Sequence, residues 1–366
     1  MTDWKESLSE YIRQGEPEKA EKAQAWKAAI GLQDVDGLKT SDYLLATARQ
    51  NIEGEITLDQ AQRQVESYYR ASDNRKAVEE GTVEADVVSA RITTLLAERS
   101  FHFSPASLAS VHGFLFKGVF PHAGKYREYD ITKNEWVLDG DTVLYSSYGM
   151  IRETLEYDFS QEKGFSYSAL PMNDAIRHLA NFTAGIWQIH PFGEGNTRTT
   201  AVFMLKYLQS LGFQADNSLF EKHSWYFRNA LVRANYSNLQ KGVHADSVFL
   251  EHFFENLLAG AHHELKNRYL HVDWAGDQSI NAKHLKYQND TLNCTLEELA
   301  LLRLLKENPQ VTQQKASQSI GKSIATVKRL TVALQEKGLL ERVGAKRNGS
   351  WRVLADLDGD AQGKRG

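Results

Sequence analysis

The chain of 366 residues has one cysteine, Cys294, and six prolines. A single cysteine excludes an intramolecular disulfide and a cysteine-rich zinc site. No stretch approaches the ~18 consecutive apolar residues of a membrane span. The opening MTDWKESLSEYIRQGEPEKA lacks the apolar core of a secretory signal. A cytoplasmic protein with no membrane contact is the expectation. Basic residues are not in surplus: 43 Lys and Arg stand against 47 Asp and Glu, a net charge of −4, so no global field points to nucleic acid. A GxxxxGK(S/T) loop, an HExxH helix and a GxSxG elbow are all missing, which leaves a P-loop nucleotidase, a zincin and an α/β-hydrolase unsupported. Scarce proline and few short alternating runs favour a mainly helical chain, long enough for two or three domains.

What is present falls into blocks. Thr40-Ser41-Asp42 is a cap cluster before YLLATARQNI, and Gly54 fits its stop. Thr57 or Asp59 caps the next helix, one more ends near Glu98, and Ser104-Pro105 opens SPASLASVHGFLFKGVF. From Gly124 to Tyr145 the character changes. YREYDITKNEWVLDGDTVLY carries β-branched and aromatic residues around Asp139-Gly140-Asp141, which predicts a β-hairpin flap. MNDAIRHLANFTAGIWQIH and TAVFMLKYLQSLG read as apolar helices on either side of HPFGEGNTRTT. The resulting division is a helical region 1–99, a core 100–265, a polar linker 266–290, a compact unit 291–356 and a tail 357–366.

The unit 291–356 has three helical segments followed by LLERVGAKRNGSWRVL, the outline of a winged helix-turn-helix. Between Val311 and Arg352 it holds nine Lys or Arg against two acids, Glu336 and Glu341. Lys328, Arg329, Lys346 and Arg347 are the candidate DNA contacts, on the third helix and hairpin.

The chemistry concentrates in His190-Pro-Phe-Gly-Glu-Gly-Asn-Thr-Arg198. Unpaired amides in a glycine-containing loop before a helix can cradle an anion. Arg198 adds a planar cation suited to phosphate, Glu194 a carboxylate for Mg²⁺, and His190 a base near neutral pH. Such a set suits phosphoryl or nucleotidyl transfer. His112, His122, His178, His244, His262 and His263 show no metal spacing with a shared acid, so core or surface roles are expected of them.

The segment resembles the Fic family signature HxFx(D/E)GNxR, matching at His190, Phe192, Glu194, Gly195, Asn196 and Arg198. Upstream, FPHAGKYREYDITKNEW resembles the family's G-x-x-R segment and target-docking flap; downstream, YFRNALVRANYSN resembles the helix that closes the nucleotide pocket. The resemblance implies a mainly α, Fic-type helical core with a β-hairpin flap, and protein AMPylation. AMP would pass from Mg²⁺-ATP to a hydroxyl of a target protein or of the chain itself. It implies His190 as general base and Glu194 as Mg²⁺ ligand. Gly193, Gly195, Asn196, Thr197 and Arg198 would meet phosphate, Phe227, Arg228 and Asn235 the adenosine, and Lys133, Asn134, Glu135 and Trp136 the target backbone. Thr197 and Ala201 depart from the family pattern, in place of a second glycine and a second arginine. Doc-like phosphate transfer, another nucleotidyl donor, and a DNA-binding regulator that senses nucleotide stay open. Expected partners are a target protein, DNA and a second copy of the chain.

AIGLQDVDGL and NIEGEITLDQA resemble the small antitoxin partners of Fic toxins, fused in cis. Two acids compete for the inhibitory place, Asp36 and Glu53. Neither stands in a complete (S/T)xxxE(G/N) pattern, because Leu32 and Arg49 occupy the Ser/Thr positions.

Overall fold

The computed structural model describes residues 4–71, 80–213, 215, 218–274, 293–344, 349–355 and 357. Two units emerge, and they do not follow chain order. The first holds residues 1–163, 181–250 and 265–274; the second holds 164–180, 251–264 and 275–366. Of the expected linker 266–290, residues 266–274 belong to the first unit and carry a 3₁₀ turn, Asn267–Leu270. Residues 275–290 lie outside the described residues, as do Lys346, Arg347 and nearly all of the tail.

In the first unit, local chemistry sets the helix ends. Helices α1 (Trp4–Gln14) and α2 (Pro17–Gly31) precede a 3₁₀ turn, Leu32–Asp36, stopped by Gly37 in the left-handed region. α3 (Asp42–Glu53) opens on Ser41, whose hydroxyl accepts from the Leu44 N–H, and closes on left-handed Gly54. α4 (Leu58–Arg70) has a capping box between Thr57 and Gln60. Together with α5 (Glu80–Ala97) they enclose a core of Trp26, Ile30, Leu44, Ile52, Val65 and Val87. This layer is seated on the remainder of the unit by a close backbone approach. A Cβ on Gly31 would lie 2.3 Å from the Cα of Glu221. Beside that contact Ser224 donates to the Gly31 carbonyl at 2.7 Å, and Lys27 and Glu221 form a buried ion pair at 2.7 Å.

The rest of the first unit is built on α6 (Pro105–Phe116), α7 (Ile151–Gly164), the C-terminal half of α8 (Met172–Ile189), α9 (Asn196–Ser210) and α10 (Ser218–Ala234), whereas α11 (Val248–Ala259) belongs to the second unit from Glu251 onward. Ser104 caps α6, as its sequence promised. Phe103, Phe159, Phe182, Phe203 and Tyr207 interleave between these helices. The flap folds back on itself without a strand ladder, which differs from the expected hairpin. Asp139 and Gly140 both adopt positive φ, and a 3₁₀ turn occupies Trp136–Leu138. The Glu135 carbonyl therefore accepts from the Leu138 and Gly140 amides, and the arms are joined by Glu135 N–H to the Asp141 carbonyl and by Lys133 N–H to the Thr142 hydroxyl, with no ladder.

In the second unit, α12 (Leu296–Glu307), α13 (Gln313–Ser319) and α14 (Ile324–Glu336) are capped by Thr295, Thr312 and Ser323. Strands β1 (Leu340–Val343) and β2 (Ser350–Val353) pair antiparallel with Leu340 opposite Val353 and Arg342 opposite Trp351. Leu299, Leu302, Leu305, Val327, Leu334 and Leu340 form the buried face. This is the expected winged helix-turn-helix. No helix among the described residues is long and apolar enough to cross a membrane.

Candidate active site

The apolar helix α8 delivers His190 at its end, in the left-handed region with φ of 49°. The ring Nδ1 lies 3.1 Å from the Trp187 carbonyl. A carbonyl only accepts, so Nδ1 carries the proton, and the neutral ring leaves Nε2 as an acceptor. Burial, with Lys133, Arg127 and Arg228 adding positive field, holds the imidazole well below its usual pKa. Only 3% of His190 is exposed, and the Tyr145 and Trp187 rings lie 4.3 and 5.1 Å from its own.

Arg127, a residue to which the sequence analysis gave no role, fixes that arrangement. Its guanidinium donates to the carbonyls of His190 at 2.8 Å, Tyr129 at 2.7 Å and Ile189 at 3.3 Å, and to that of Ser146. Its own N–H donates to the Pro191 carbonyl at 2.8 Å. The Arg of the G-x-x-R segment is thus a backbone clamp joining the flap to the His190 loop.

Asn196 closes the loop from within: its side chain accepts from the Phe192 N–H at 3.0 Å and donates to the Phe192 carbonyl at 2.7 Å. His112 holds the other side. Gly124 N–H donates to its Nδ1 at 2.8 Å, so Nε2 carries the proton and donates to the Glu194 carbonyl at 3.0 Å. The ring stacks on Phe192 at 3.8 Å, and burial pulls its pKa down to about 4. A core or surface role was expected of His112; it is buried, and there it orients the loop.

Gly195 opens α9 at φ of 75° with no side-chain cap, so the first amides of the helix keep their anion-binding capacity. A Cβ there would strike the Phe116 ring at 2.4 Å. One on Gly193 would meet the Tyr129 hydroxyl at 2.7 Å and His122 Nε2 at 3.2 Å. That His122 nitrogen is buried and lacks a hydrogen-bond partner. The Thr197 hydroxyl is turned inward, accepting from the Trp187 indole N–H at 3.0 Å. Glu194 is 58% exposed and pairs with Lys133 of the flap at 3.1 Å.

Arg198 lies inside a cage contributed by the N-terminal helices. Its Nε is 2.8 Å from Asp36, Nη1 donates to Gln33 at 3.0 Å, Nη2 meets Glu84 at 2.5 Å, and the group lies over the Phe116 ring. Glu53 is elsewhere, pairing with Lys19 at 3.0 Å. On the flap, Lys133 reaches Glu194, Asn134 is exposed, and Trp136 is half-exposed with its edge to His271. Glu135 points inward to Arg228 at 2.7 Å. Phe227 is fully buried against Phe220, while Asn235 donates to the carbonyls of Ala184 and Leu231.

In the second unit, Lys328 and Arg329 are exposed on α14. Lys322, Lys337 and Arg352 are neutralised by Glu297, Glu298 and Glu341 respectively, and Arg342 lies over Trp351.

A family model described as Fic/DOC family matches residues 102–208. Residues 102–208 are a Fic/DOC domain. The IclR helix-turn-helix model matches residues 299–344. Fic/DOC domains are transferases that place phosphate-containing groups, nucleotides among them, on proteins. Among solved structures the chain is similar to the N-terminal Fic domain of a Bartonella effector protein, a VirB-translocated substrate from Bartonella sp. AR 15-3. That match has 18% identity and a TM-score of 0.38, over 48% of this chain and 82% of that one. A Fic family protein from Desulfovibrio desulfuricans G20 matches at 14% identity and a TM-score of 0.38, over 97% of both chains. No curated protein matches.

Proposed function

We propose that the Fic/DOC domain transfers AMP from ATP to a hydroxyl of a target protein, or of the chain itself, with release of pyrophosphate. One observation carries the reading. His190 spends its Nδ1 proton on the Trp187 carbonyl and keeps Nε2 as an acceptor, beside a loop that ends on an uncapped helix N-terminus. In the step, the hydroxyl oxygen bonds to the α-phosphorus, the bond to pyrophosphate breaks, and the hydroxyl proton goes to Nε2. Arg127, His112 and Asn196 hold the loop that fixes this geometry.

The donor set fits Mg²⁺-ATP. Glu194 is a hard oxygen ligand at the loop surface, the α9 amides favour phosphate, and His122 Nε2 is a buried nitrogen still to be partnered. Glu194 would hold the ion after release from Lys133, and the ion would neutralise phosphate charge. The intact Glu194-Gly195-Asn196 favours AMP over phosphate transfer.

The same proposal includes inhibition in cis. Asp36 and Glu84 occupy the guanidinium that would meet phosphate, and Tyr145, at the end of the flap segment, lies 4.3 Å from the buried His190 ring. Asp36, not Glu53, is the acid in position to do so.

ATP labelled separately at the α- and γ-phosphates tests the reading, with wild type, Asp36→Ala and His190→Ala. Label from the α position that depends on His190 is expected. Transfer of γ-label would replace it with Doc-like phosphate transfer. ATP binding without any transfer by Asp36→Ala would favour a nucleotide sensor.

A second reading concerns the helix-turn-helix. Lys328 and Arg329 are exposed side by side on α14, the helix that enters the major groove in such motifs. We propose DNA as its ligand. A salt-sensitive mobility shift by the full chain, weakened in Lys328→Ala/Arg329→Ala, is expected; no shift at low salt would end that reading.

A further inference from the structure

We infer that His252, Glu255 and His263 form a site for a Zn²⁺-class transition metal ion in the second unit, separate from the Fic/DOC loop. One ligand atom from each side chain lies within 4.8 Å of the other two. The spacing His-x₂-Glu-x₇-His is not a standard metal pattern and carries no signal by itself. The fold creates the site. His252 and Glu255 share one face of α11 at i and i+3. Gly260 then turns the chain in the left-handed region at φ of 67° and returns His263 to that face.

The return is fixed at several points. The Asn256 side chain accepts from the His263 N–H at 2.9 Å and donates to the His263 carbonyl at 2.9 Å, and Ala261 N–H donates to the Glu255 carbonyl at 3.2 Å. The His252 and His263 rings stack at 4.0 Å, and Glu255 closes on His263 Nε2. All three side chains are partly buried.

Two imidazoles and one carboxylate are the ligand set of a zinc site that keeps a water. Imidazole donors select Zn²⁺, Co²⁺, Ni²⁺ or Cu²⁺ over Mg²⁺ and Ca²⁺, which take oxygen. Tetrahedral bonds of about 2.1 Å place ligand atoms roughly 3.4 Å apart. Binding of the ion would require side-chain rotations that unstack the two rings and draw the three atoms in from within 4.8 Å of one another. The alternative is a simple Glu255–His263 ion pair with His252 stacked on it.

The test uses full-length protein without an affinity tag, stripped with chelator and titrated with Co²⁺. Expected are visible ligand-field bands at one ion per chain, displaced by Zn²⁺, and a melting temperature raised by Zn²⁺ and lowered again by chelator. His263→Ala and Glu255→Gln should abolish the bands. Asn256→Ala, which loosens the ligand without removing it, should weaken binding about 10- to 100-fold. Glu194→Gln should bind as wild type, which places the ion away from the nucleotide loop. Should His263→Ala fold poorly, His252→Gln replaces it, since glutamine keeps much of the side chain's bulk. Featureless spectra in wild type, or bands that survive in His252→Gln or His263→Ala, would overturn the site in favour of the ion pair.

Discussion

Asp36 lies against Arg198, carboxylate oxygen to guanidinium Nε at 2.8 Å, across 162 residues of chain. The arginine is 2% exposed and also meets Glu84, so one cation faces two carboxylates from separate N-terminal segments. Removing Asp36 leaves Glu84 in place; removing both empties the cage. Asp36→Ala should therefore raise self-modification by roughly tenfold, equivalent to about 1.4 kcal/mol of released coupling. Asp36→Ala/Glu84→Gln should raise it further. Glu53→Ala should leave it unchanged. Incorporation of α-label per chain measures all three.

Gly31 permits a close backbone approach between the N-terminal layer and α10. Alanine there would put a methyl 2.3 Å from the Glu221 Cα and 2.8 Å from the Phe220 carbonyl, both backbone atoms that cannot swing aside. Gly31→Ala should cost about 1–3 kcal/mol in urea unfolding. It should also loosen the turn bearing Asp36 and raise activity. A stability loss with activity unchanged would show that the layer and the cage are uncoupled.

Arg127 holds four carbonyls with one planar group. Lysine keeps the charge and cannot reproduce the fork. Arg127→Lys should lower the melting temperature and cut turnover by about 100-fold, since small displacements of a reacting group carry losses of that order. Turnover near wild type would demote the clamp to a bystander.

The His112 pKa, at about 4, lies below the unfolded value. Above pH 6.5 both states are neutral and the residue makes stability independent of pH. As pH falls below 6.5 the unfolded chain takes up the proton first, and stability drops until the native ring protonates near pH 4. The full loss is about 3 kcal/mol. His190, also held low, acts in the same direction. Urea midpoints at pH 7 and pH 5 should differ, and His112→Gln should flatten the difference.

Much of the local architecture was legible in residue types. Ser41, Thr57 and Ser104 capped where expected, and Gly54 ended its helix, because these signals act within a few residues. The flap misled, since its β-branched and aromatic residues serve burial: Val137, Leu138 and Val143 are core while the backbone turns through Asp139 and Gly140. Thr197 was read toward phosphate, yet its hydroxyl serves the Trp187 indole.

By itself the sequence determined the helical class, the helix boundaries, the winged helix-turn-helix and the loop HPFGEGNTR, because short-range periodicity, capping and a contiguous motif need no knowledge of the far chain. Only the tertiary structure decided which acid meets Arg198, that Arg127 and His112 brace the loop, and that His252, Glu255 and His263 converge. Those pairings join positions close in space and separate in sequence, and their energy comes from burial and charge that exist only once the chain has packed.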